Sequence, residues 1–358
     1  MASTPHTNVL VRGITKLLCA YAAPLLDSRI EESSQPFTVP DIILPHDNSK
    51  WWGWTHYGVF ITDLPEPYRY LNTMTFIGAP GVLCFDNDYL SAPDARNTAT
   101  VLSSTAYGDT HHYEAYDAAS TCEFAADGSR LAWGNDLVIT SNYPNFTVAG
   151  RYRHMQVKLQ ISATKQVSWF VRSPVYDHLS LLATYTGTIT DDRGTTEIAG
   201  MCTVEYARSM TPQALSRHPV PPQLKIPVHF FTYQILHLDK RTQLLLTDVR
   251  ADGMTLCKLA YVRNLDGEAL VYQDVAFEVL SYRKQHVTDP RGRSMRTPER
   301  MQWIVRDEDQ EIIKFVASVD SPLRYGHGQG YVASYQFTGT WRNKDVTGIG
   351  YLEWIDLE

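Results

Sequence analysis

Two segments of the sequence carry aromatic side chains and histidines at alternate positions. Successive side chains of a β-strand point to opposite faces, so residues two apart share a face. The shared faces carry Trp52, Trp54, His56, Gly58 and Phe60 in the first half and His229, Phe231, Tyr233, Ile235 and His237 in the second. An aromatic lining with a few polar groups is the usual make-up of a small-molecule site. The alternative is that both faces are packed core with hydrogen-bonded polar groups.

We predict that these faces bind an apolar ligand. The predicted ligand contacts are Trp52, Trp54, Tyr57, Phe231, Tyr233, His237 and His327. Trp and Tyr ring faces can also stabilise a developing cation through their quadrupole. His327 lies in the glycine-rich run 325–331, which no helix follows, so we predict a loop or β-bulge at a pocket mouth rather than a phosphate-binding loop.

Acid catalysis on an apolar substrate needs a carboxyl group or a histidine placed against it, with a pKa tuned by burial. The candidate carboxyl groups are Asp86, Asp88, Glu205, Asp239, Asp248 and Glu353. For Asp86 and Asp88 a solvated turn or an Asx motif is the favoured alternative, because Asp and Asn prefer turns. For Glu205 and Glu353, which recur at equivalent places in the two halves, the alternative is a structural ion pair. The predicted catalytic residues are His56, Asp86, His229 and Glu353.

Other chemistries lack support in the sequence. The segment 108–117 is dense in acidic residues and histidines, but the adjacent His111 and His112 would point to opposite faces of a strand. A metal site needs convergent ligands, so no metal or cofactor is predicted. The motifs Gly-x-Ser-x-Gly and His-Glu-x-x-His do not occur, which argues against a serine hydrolase and a zinc protease.

The elements that must position these residues read as strands. Apolar and β-branched runs such as 156–161, 167–171 and 244–249 alternate with Asx-Gly pairs that favour tight hairpin turns. The 358 residues are 44% hydrophobic and 11% aromatic, which is typical of an aromatic-rich all-β globular protein. The net charge of -7 argues against a nucleic-acid partner, since such partners need a basic face.

The compartment is inferred from the cysteines and the apolar runs. Five scattered cysteines suit reduced, buried thiols, so we expect a cytoplasmic protein. No apolar run approaches the roughly 18 residues of a membrane span.

An internal repeat divides the chain. Residues 185–188 and 337–340 read Tyr-Thr-Gly-Thr and Phe-Thr-Gly-Thr, and each precedes a strand in which a glycine stands five positions before Glu205 or Glu353. The starts of the halves align loosely, Trp54 with Phe231. A proline-rich stretch lies between them. We predict a helical or loop-like lead-in over 1–45, a first barrel over 46–210, a linker over 211–226 and a second barrel over 227–358.

The aromatic opening, the glycine-to-glutamate closing strands and the proline-rich linkage resemble a two-barrel, lipocalin-like family. That family contains AttH-like proteins, carotenoid 1,2-hydratases (hydroxyneurosporene synthases), decalin-forming Diels–Alderases and the survival factor Svf1. The chain looks closest to a bacterial branch of the group. The resemblance implies two calycin-like antiparallel β-barrels packed side by side, with an apolar ligand pocket at or near their interface. It leaves the reaction open, because family members hydrate alkenes, fold polyenes or carry lipids.

Together, the residues and the resemblance predict an enzyme that hydrates, cyclises or isomerises an apolar isoprenoid, polyketide or lipid without a cofactor. A non-catalytic lipid carrier or sensor is the alternative, and it predicts a pocket without buried titratable groups. A purely structural protein would have filled barrel interiors. The expected partner is an apolar small molecule, with peripheral membrane contact as a further expectation. The oligomeric state is left open.

Overall fold

The computed structural model describes Leu10, Gly13, residues 26–86 and residues 90–358. Most of the lead-in predicted over 1–45 therefore lies outside the described residues. Its described part contains the short helix α1 (Arg29–Ser33) and a single 3-10 turn, Pro40–Ile42. Further 3-10 turns span Ala95–Asn97, Pro212–Leu215 and Pro222–Leu224. No helix in the described ranges is both long enough and apolar enough to span a bilayer.

The first half forms one antiparallel sheet of eleven strands. Its strands are β1 (Trp54–Thr62), β2 (Tyr70–Gly78), β3 (Thr98–Ser104), β4 (His111–Asp117), β5 (Cys122–Phe124), β6 (Arg130–Trp133), β7 (Leu137–Asn142), β8 (Asn145–Arg151), β9 (Gln156–Arg172), β10 (Tyr176–Asp191) and β11 (Gly194–Ser209). They are ordered β4-β3-β2-β1-β11-β10-β9-β8-β7-β6-β5. The sheet curls around a core of its own. The first strand, β1, pairs with β2 on one side and with the last strand, β11, on the other.

The second half forms a ten-stranded sheet and a small two-stranded one. Its strands are β12 (Val228–His237), β13 (Thr242–Ala251), β14 (Met254–Asn264), β15 (Ala269–Tyr272), β16 (Asp274–Tyr282), β17 (Val287–Thr288), β18 (Ser294–Met295), β19 (Pro298–Asp307), β20 (Gln310–Val319), β21 (Arg324–His327), β22 (Gly330–Trp341) and β23 (Lys344–Asp356). The large sheet is ordered β15-β14-β13-β12-β23-β22-β20-β19-β16, with β21 paired to β22, while β17 and β18 pair with each other. This all-β architecture of two barrel-like sheets confirms the predicted fold class.

Both faces of β1 are buried, because each face packs against a different core. Tyr57, Val59 and Ile61 point into the first barrel. Trp54 and Phe60 belong to a second cluster that includes the core of the other barrel. The barrels thus pack side by side through the outer face of β1 and its neighbours.

The repeat predicted from the sequence is a repeat of strand pairing. Tyr185 pairs with Gly200 and Phe337 with Gly348, so the two closing hairpins share one register. Gly187 and Gly339 occupy equivalent positions, where a Cβ atom would overlap the carbonyl oxygen of Lys158 or Lys314 respectively. The close approach of the neighbouring strand therefore requires glycine at this point of each repeat.

Residues 210–227 connect the two sheets without a strand of their own. This connection, which contains the predicted linker 211–226, packs against the first half. Val82 forms an isolated parallel bridge with Ile226, and the fully buried Gln213 accepts from the backbone N–H of Val220. Leu83 N–H also donates to the Ile226 carbonyl oxygen, so the end of the connection is fixed to the loop after β2.

Candidate functional site

A cavity of about 680 Å³ lies between the two barrels. Its volume falls within the roughly 300–1,000 Å³ typical of small-molecule sites. Its apolar wall includes Trp54, Met74, Phe76, Phe85, Phe170 and Phe231. The polar groups set into that wall are His56, His178, Glu205, Tyr233, His327 and Glu353. Both halves of the chain therefore contribute to one shared site.

Three adjacent strands of the first barrel position His56, His178 and Glu205. Ala207 of β11 pairs with His56 of β1 on one side and with His178 of β10 on the other. Glu205 stands two residues before Ala207 and so projects from the same face. Directly opposite it in β1 is Gly58, which leaves the space that the glutamate and the imidazoles occupy.

Glu205 is an ionised carboxylate held between two imidazoles. Its Oε2 lies 3.6 Å from His178 Nε2 and 3.8 Å from His56 Nε2, which are ion-pair rather than hydrogen-bond distances. Burial alone would raise the pKa of Glu205, but the two histidines outweigh it and lower that pKa to about 2.

The backbone determines which nitrogen of His56 faces Glu205 and the cavity. His56 Nδ1 lies 2.8 Å from the Thr75 carbonyl oxygen. A carbonyl can only accept, so Nδ1 carries a proton and donates it there. The neutral ring then has its lone pair on Nε2, the atom beside Glu205. His56 can therefore accept a proton at Nε2 next to a carboxylate that would stabilise the resulting cation.

Glu353 occupies the position in the second barrel that Glu205 occupies in the first, but its carboxyl group is neutral. It lies on β23 opposite Tyr233 of β12, and its Oε1 accepts a hydrogen bond of 3.0 Å from the Tyr351 hydroxyl. Burial raises the pKa of Glu353 well above its ordinary value, and the charge on Glu205 raises it further. Glu353 therefore keeps its proton under conditions in which Glu205 has lost its own.

His327 provides the partner of Glu353 from a different element. Its Nε2 lies 3.4 Å from Glu353 Oε2, and its ring packs against Phe76, Phe85 and Phe231. Burial lowers the pKa of His327 to about 3, so the ring is neutral and can accept at one nitrogen. The glycine-rich run 325–331 covers the end of β21, the turn after it and the start of β22, and the two strands pair irregularly there. The prediction that His327 stands at the pocket mouth is wrong, because its side chain is buried beside Glu353.

Several buried polar atoms around the cavity have no hydrogen-bond partner among the described residues. They are Glu205 Oε1, His178 Nε2, Tyr233 Oη, His327 Nε2 and Trp54 Nε1. Buried polar groups are nearly always hydrogen-bonded, and water fills polar spaces of sufficient size. These atoms are therefore available to hold water or the polar part of a ligand.

The mouth of the cavity lies near α1. The lining residues Leu26 and Val175 are 52% and 45% exposed, whereas the glutamates at the other end are 3% exposed. Asp27 and Arg29 form an ion pair beside this opening. Cys257 also lines the wall, but burial raises the pKa of its thiol to about 11. That thiol is therefore protonated at neutral pH and is a weak nucleophile.

The structure brings six of the predicted site residues together at the cavity wall: Trp54, His56, Phe231, Tyr233, His327 and Glu353. The other five lie elsewhere. Tyr57 faces the interior of the first barrel, where it lines a void of only about 10 Å³. Trp52 lies outside the wall, with the Arg208 guanidinium 4.5 Å from the centre of its ring.

Asp86 forms a buried ion pair instead of lining the cavity. Its Oδ2 lies 3.0 Å from Lys225 Nζ, and both side chains are almost fully buried. This pair joins the loop after β2 to the connection between the barrels. Asp88, the other candidate in that loop, lies outside the described residues.

His229 and His237 are displaced by strand geometry. A register shift between Val228 and Phe230 interrupts the alternation of β12 at His229, which is absent from the cavity wall. His237 ends the same strand, away from the wall, and burial lowers its pKa to about 4. The strict two-residue alternation that linked these histidines to Phe231 and Tyr233 therefore holds only along part of β12.

His178 is the main site residue that the sequence analysis missed. It stands two residues after Tyr176, another wall residue, on the long strand β10. The same aromatic–histidine alternation that marked β1 was therefore present there. Phe76, Phe85 and Phe170 carried no comparable signal, because single aromatic residues occur throughout the core.

Within the described residues, no three or more His, Cys, Asp or Glu side chains converge as metal ligands. In the dense segment 108–117, His112 bonds the Tyr116 hydroxyl at 3.0 Å, and that hydroxyl donates to Asp136 at 2.6 Å. These contacts connect β4, one edge of the first sheet, to the turn before β7.

The fold, two antiparallel β-barrels side by side with a cavity between them, also occurs in solved structures of low sequence identity. The chain is similar to the crystal structure of an AttH-like protein from Nitrosomonas europaea, at 14% identity and a TM-score of 0.59 over 90% of this chain and 97% of that one. It is similar to kievitone hydratase from Nectria haematococca, at 13% identity and a TM-score of 0.56 over 91% and 94%. A third similar structure is CghA with Sch210972, at 10% identity and a TM-score of 0.51 over 86% and 89%.

The sequence comparison identifies the family. Residues 74–358 match the model of a family of unknown function, DUF6670, and the chain belongs to that family. No curated protein matches the chain by sequence.

Proposed function

We propose that this protein binds an apolar, unsaturated small molecule between its barrels and catalyses its hydration by acid–base chemistry, with cyclisation or isomerisation as the related outcomes. One observation carries the proposal. A single apolar cavity contains two glutamates whose surroundings drive their pKa values apart, one raised and one lowered. Such a separation is how one site supplies both an acid and a base at the same pH.

In the proposed reaction Glu353 is the general acid. Its proton passes to one alkene carbon, the π electrons form the new C–H bond, and positive charge develops on the other carbon. The aromatic wall, which includes Trp54 and Phe231, faces that charge. The ionised Glu205 stabilises it at longer range.

A water molecule completes the reaction beside His56 and Glu205. The oxygen of a water molecule forms the C–O bond, and its proton passes to His56 Nε2 beside Glu205. The unpartnered atoms Glu205 Oε1 and His178 Nε2 are suited to hold that water. Return of the proton to Glu353 restores the starting state, so the balance is one alkene and one water consumed for one alcohol formed.

The comparisons support this choice among apolar-ligand proteins. Kievitone hydratase shares the fold, and the family that the sequence resembles contains hydratases and Diels–Alderases. A lipid carrier needs no buried titratable groups beside its ligand, whereas this wall contains two glutamates and three histidines.

The test begins with native mass spectrometry of the protein purified from its source, followed by solvent extraction of any bound molecule. The extract is then incubated with the wild-type protein and with Glu353→Gln in water enriched in heavy oxygen. Hydration predicts a labelled product with the wild type only. A product of unchanged mass indicates cyclisation or isomerisation. A bound molecule returned intact in both reactions contradicts the enzyme and leaves a carrier.

A further inference from the structure

Arg263 of β14 is a fully buried guanidinium that crosses from the second barrel to the first. Its exposed fraction is 1%. Nη1 donates to the Ser180 carbonyl oxygen at 2.5 Å, and Nη2 donates to the Ser180 hydroxyl at 3.0 Å. Within its own barrel, Nη2 donates to Gln243 Oε1 at 2.9 Å. The side chain lies behind the cavity wall rather than in it.

The hydrogen-bond acceptors of Arg263 in the described chain are all neutral oxygens, from Ser168, Ser180 and Gln243. A buried charge is costly unless an opposite charge compensates it. Burial lowers the pKa of Arg263 only to about 10, and the nearby Tyr233 and Glu205 oppose that fall. The guanidinium is therefore a cation at neutral pH and needs an anion nearby.

The position of Ser180 identifies that anion. Ser180 of β10 pairs directly with Glu205 of β11. The residue that accepts hydrogen bonds from Arg263 is therefore the cross-strand neighbour of the ionised carboxylate. Directly opposed side chains on paired strands lie about 5 Å apart at Cβ. At Glu353, by contrast, the contacts are Tyr351 and His327, which are neutral groups.

We propose that Arg263 is a positioning residue whose buried charge acts with His56 and His178 to hold Glu205 ionised, and that it is the cation which remains when both imidazoles are neutral. Arg263 then favours Glu205 over Glu353 as the anion. The assignment of acid and base then depends on the docking of the barrels, because the guanidinium belongs to one barrel and Glu205 to the other. The proposal deepens the proposed function, but its test measures ionisation and needs neither substrate nor turnover.

The first experiment is a carbon-13 NMR titration of the glutamate carboxyl groups, with Glu205→Gln used for assignment. In the wild type the Glu205 signal stays that of a carboxylate down to the pH at which the protein unfolds. In Arg263→Gln it moves toward the carboxylic acid within the folded range, because the pKa of Glu205 rises by about one unit or more, a tenfold change in its ionisation constant. Arg263→Lys retains the charge and is expected to behave like the wild type.

Arg69→Gln is the matched control. Arg69 also joins the barrels, through Ser334 and Asp320, but it pairs with carboxylates of its own. An equal shift of Glu205 in Arg69→Gln would assign the effect to a loosened interface and overturn the proposal. An unchanged Glu205 signal in folded Arg263→Gln would overturn it as well.

A second measurement decides the question if Arg263→Gln does not fold. Thermal unfolding of Glu205→Gln and Glu353→Gln is compared at about pH 9, where imidazoles of ordinary pKa are neutral. Glu205→Gln leaves the guanidinium buried without its anion and is expected to lower Tm, whereas Glu353→Gln is not. Equal Tm values for the two variants would contradict the proposal.

Discussion

Glu353 Oε2 lies 3.4 Å from His327 Nε2. His327 belongs to the short strand β21, whereas the equivalent segment of the first barrel is the end of the long strand β9, where Val171 pairs with His178. The position equivalent to His178 in the second barrel is Gly330, which pairs directly with His327. The two halves therefore build their Glu–His pairs from different elements. This asymmetry places an ionised and a neutral carboxyl group in one cavity, although the underlying strand pairing repeats.

Replacing the neutral carboxyl group should stop the chemistry without preventing binding. Glu353→Gln keeps the shape and the contact with Tyr351 but has no acidic proton to give. We expect product formation from the extracted ligand to fall at least about 100-fold, the lower range of general acid catalysis, with binding retained by native mass spectrometry. Asp86→Asn is the control, because that carboxyl pairs with Lys225 outside the cavity. Equal losses of turnover per folded molecule in both variants would remove Glu353 from the role of acid.

Trp54 should contribute binding energy that Trp52 does not. The Trp54 ring is buried at the cavity wall against Phe76 and Tyr176. Trp54→Ala should therefore weaken binding of the extracted ligand by about 2–3 kcal/mol, from apolar contact area lost, while far-UV circular dichroism stays unchanged. Trp52→Ala removes a ring outside the wall and should leave Kd within a factor of about two. Similar Kd values for the two variants would contradict the assigned wall.

Gly58 should be intolerant of even one methyl group. A Cβ there would stand 2.6 Å from the Phe60 ring and 2.9 Å from His56 Nε2. We expect Gly58→Ala to cost about 1–3 kcal/mol of unfolding free energy, as overpacking does, and to reduce turnover by displacing His56. Val59→Ala, which faces the barrel core, should lose comparable stability but retain turnover. Full activity in Gly58→Ala would show that the position of His56 is not critical.

The raised pKa of Glu353 gives a stability effect with a definite sign. The unfolded chain releases this proton near the ordinary value of 4.5, while the native protein retains it to higher pH. Wild-type stability is therefore lost progressively as pH rises above about 4.5. Glu353→Gln has no such loss, so its Tm relative to the wild type should increase between pH 4 and pH 8. A Tm difference independent of pH over that interval would contradict a neutral native carboxyl group.

Sequence patterns predicted the architecture because they depend on strand alternation and on pairing register. The aromatic face of β1 and the glycine-to-glutamate closing strands both lie where the pattern indicated. The alignment of Trp54 with Phe231 was displaced by two residues, since pairing with the closing glutamates makes His56 the equivalent of Phe231. An even displacement preserves the face, so the predicted wall residues were still correctly oriented.

The remaining site residues depend on features that alternation does not encode. The register shift at His229 is a local property of β12. The burial of Asp86 depends on Lys225, which is distant in sequence. Glu205 is ionised and Glu353 is neutral because of neighbouring residues on other strands. The distances to those neighbours cannot be read from a single sequence.

The most direct test of the account is infrared difference spectroscopy of the protein at neutral pH. Protonated and ionised carboxyl groups absorb in separate regions, and Glu353→Gln and Glu205→Gln identify the two bands. The account predicts a buried, protonated carboxyl band that Glu353→Gln removes, and a carboxylate band that Glu205→Gln removes. Two carboxylates, or two protonated groups, would contradict the division into acid and base on which the proposed function rests.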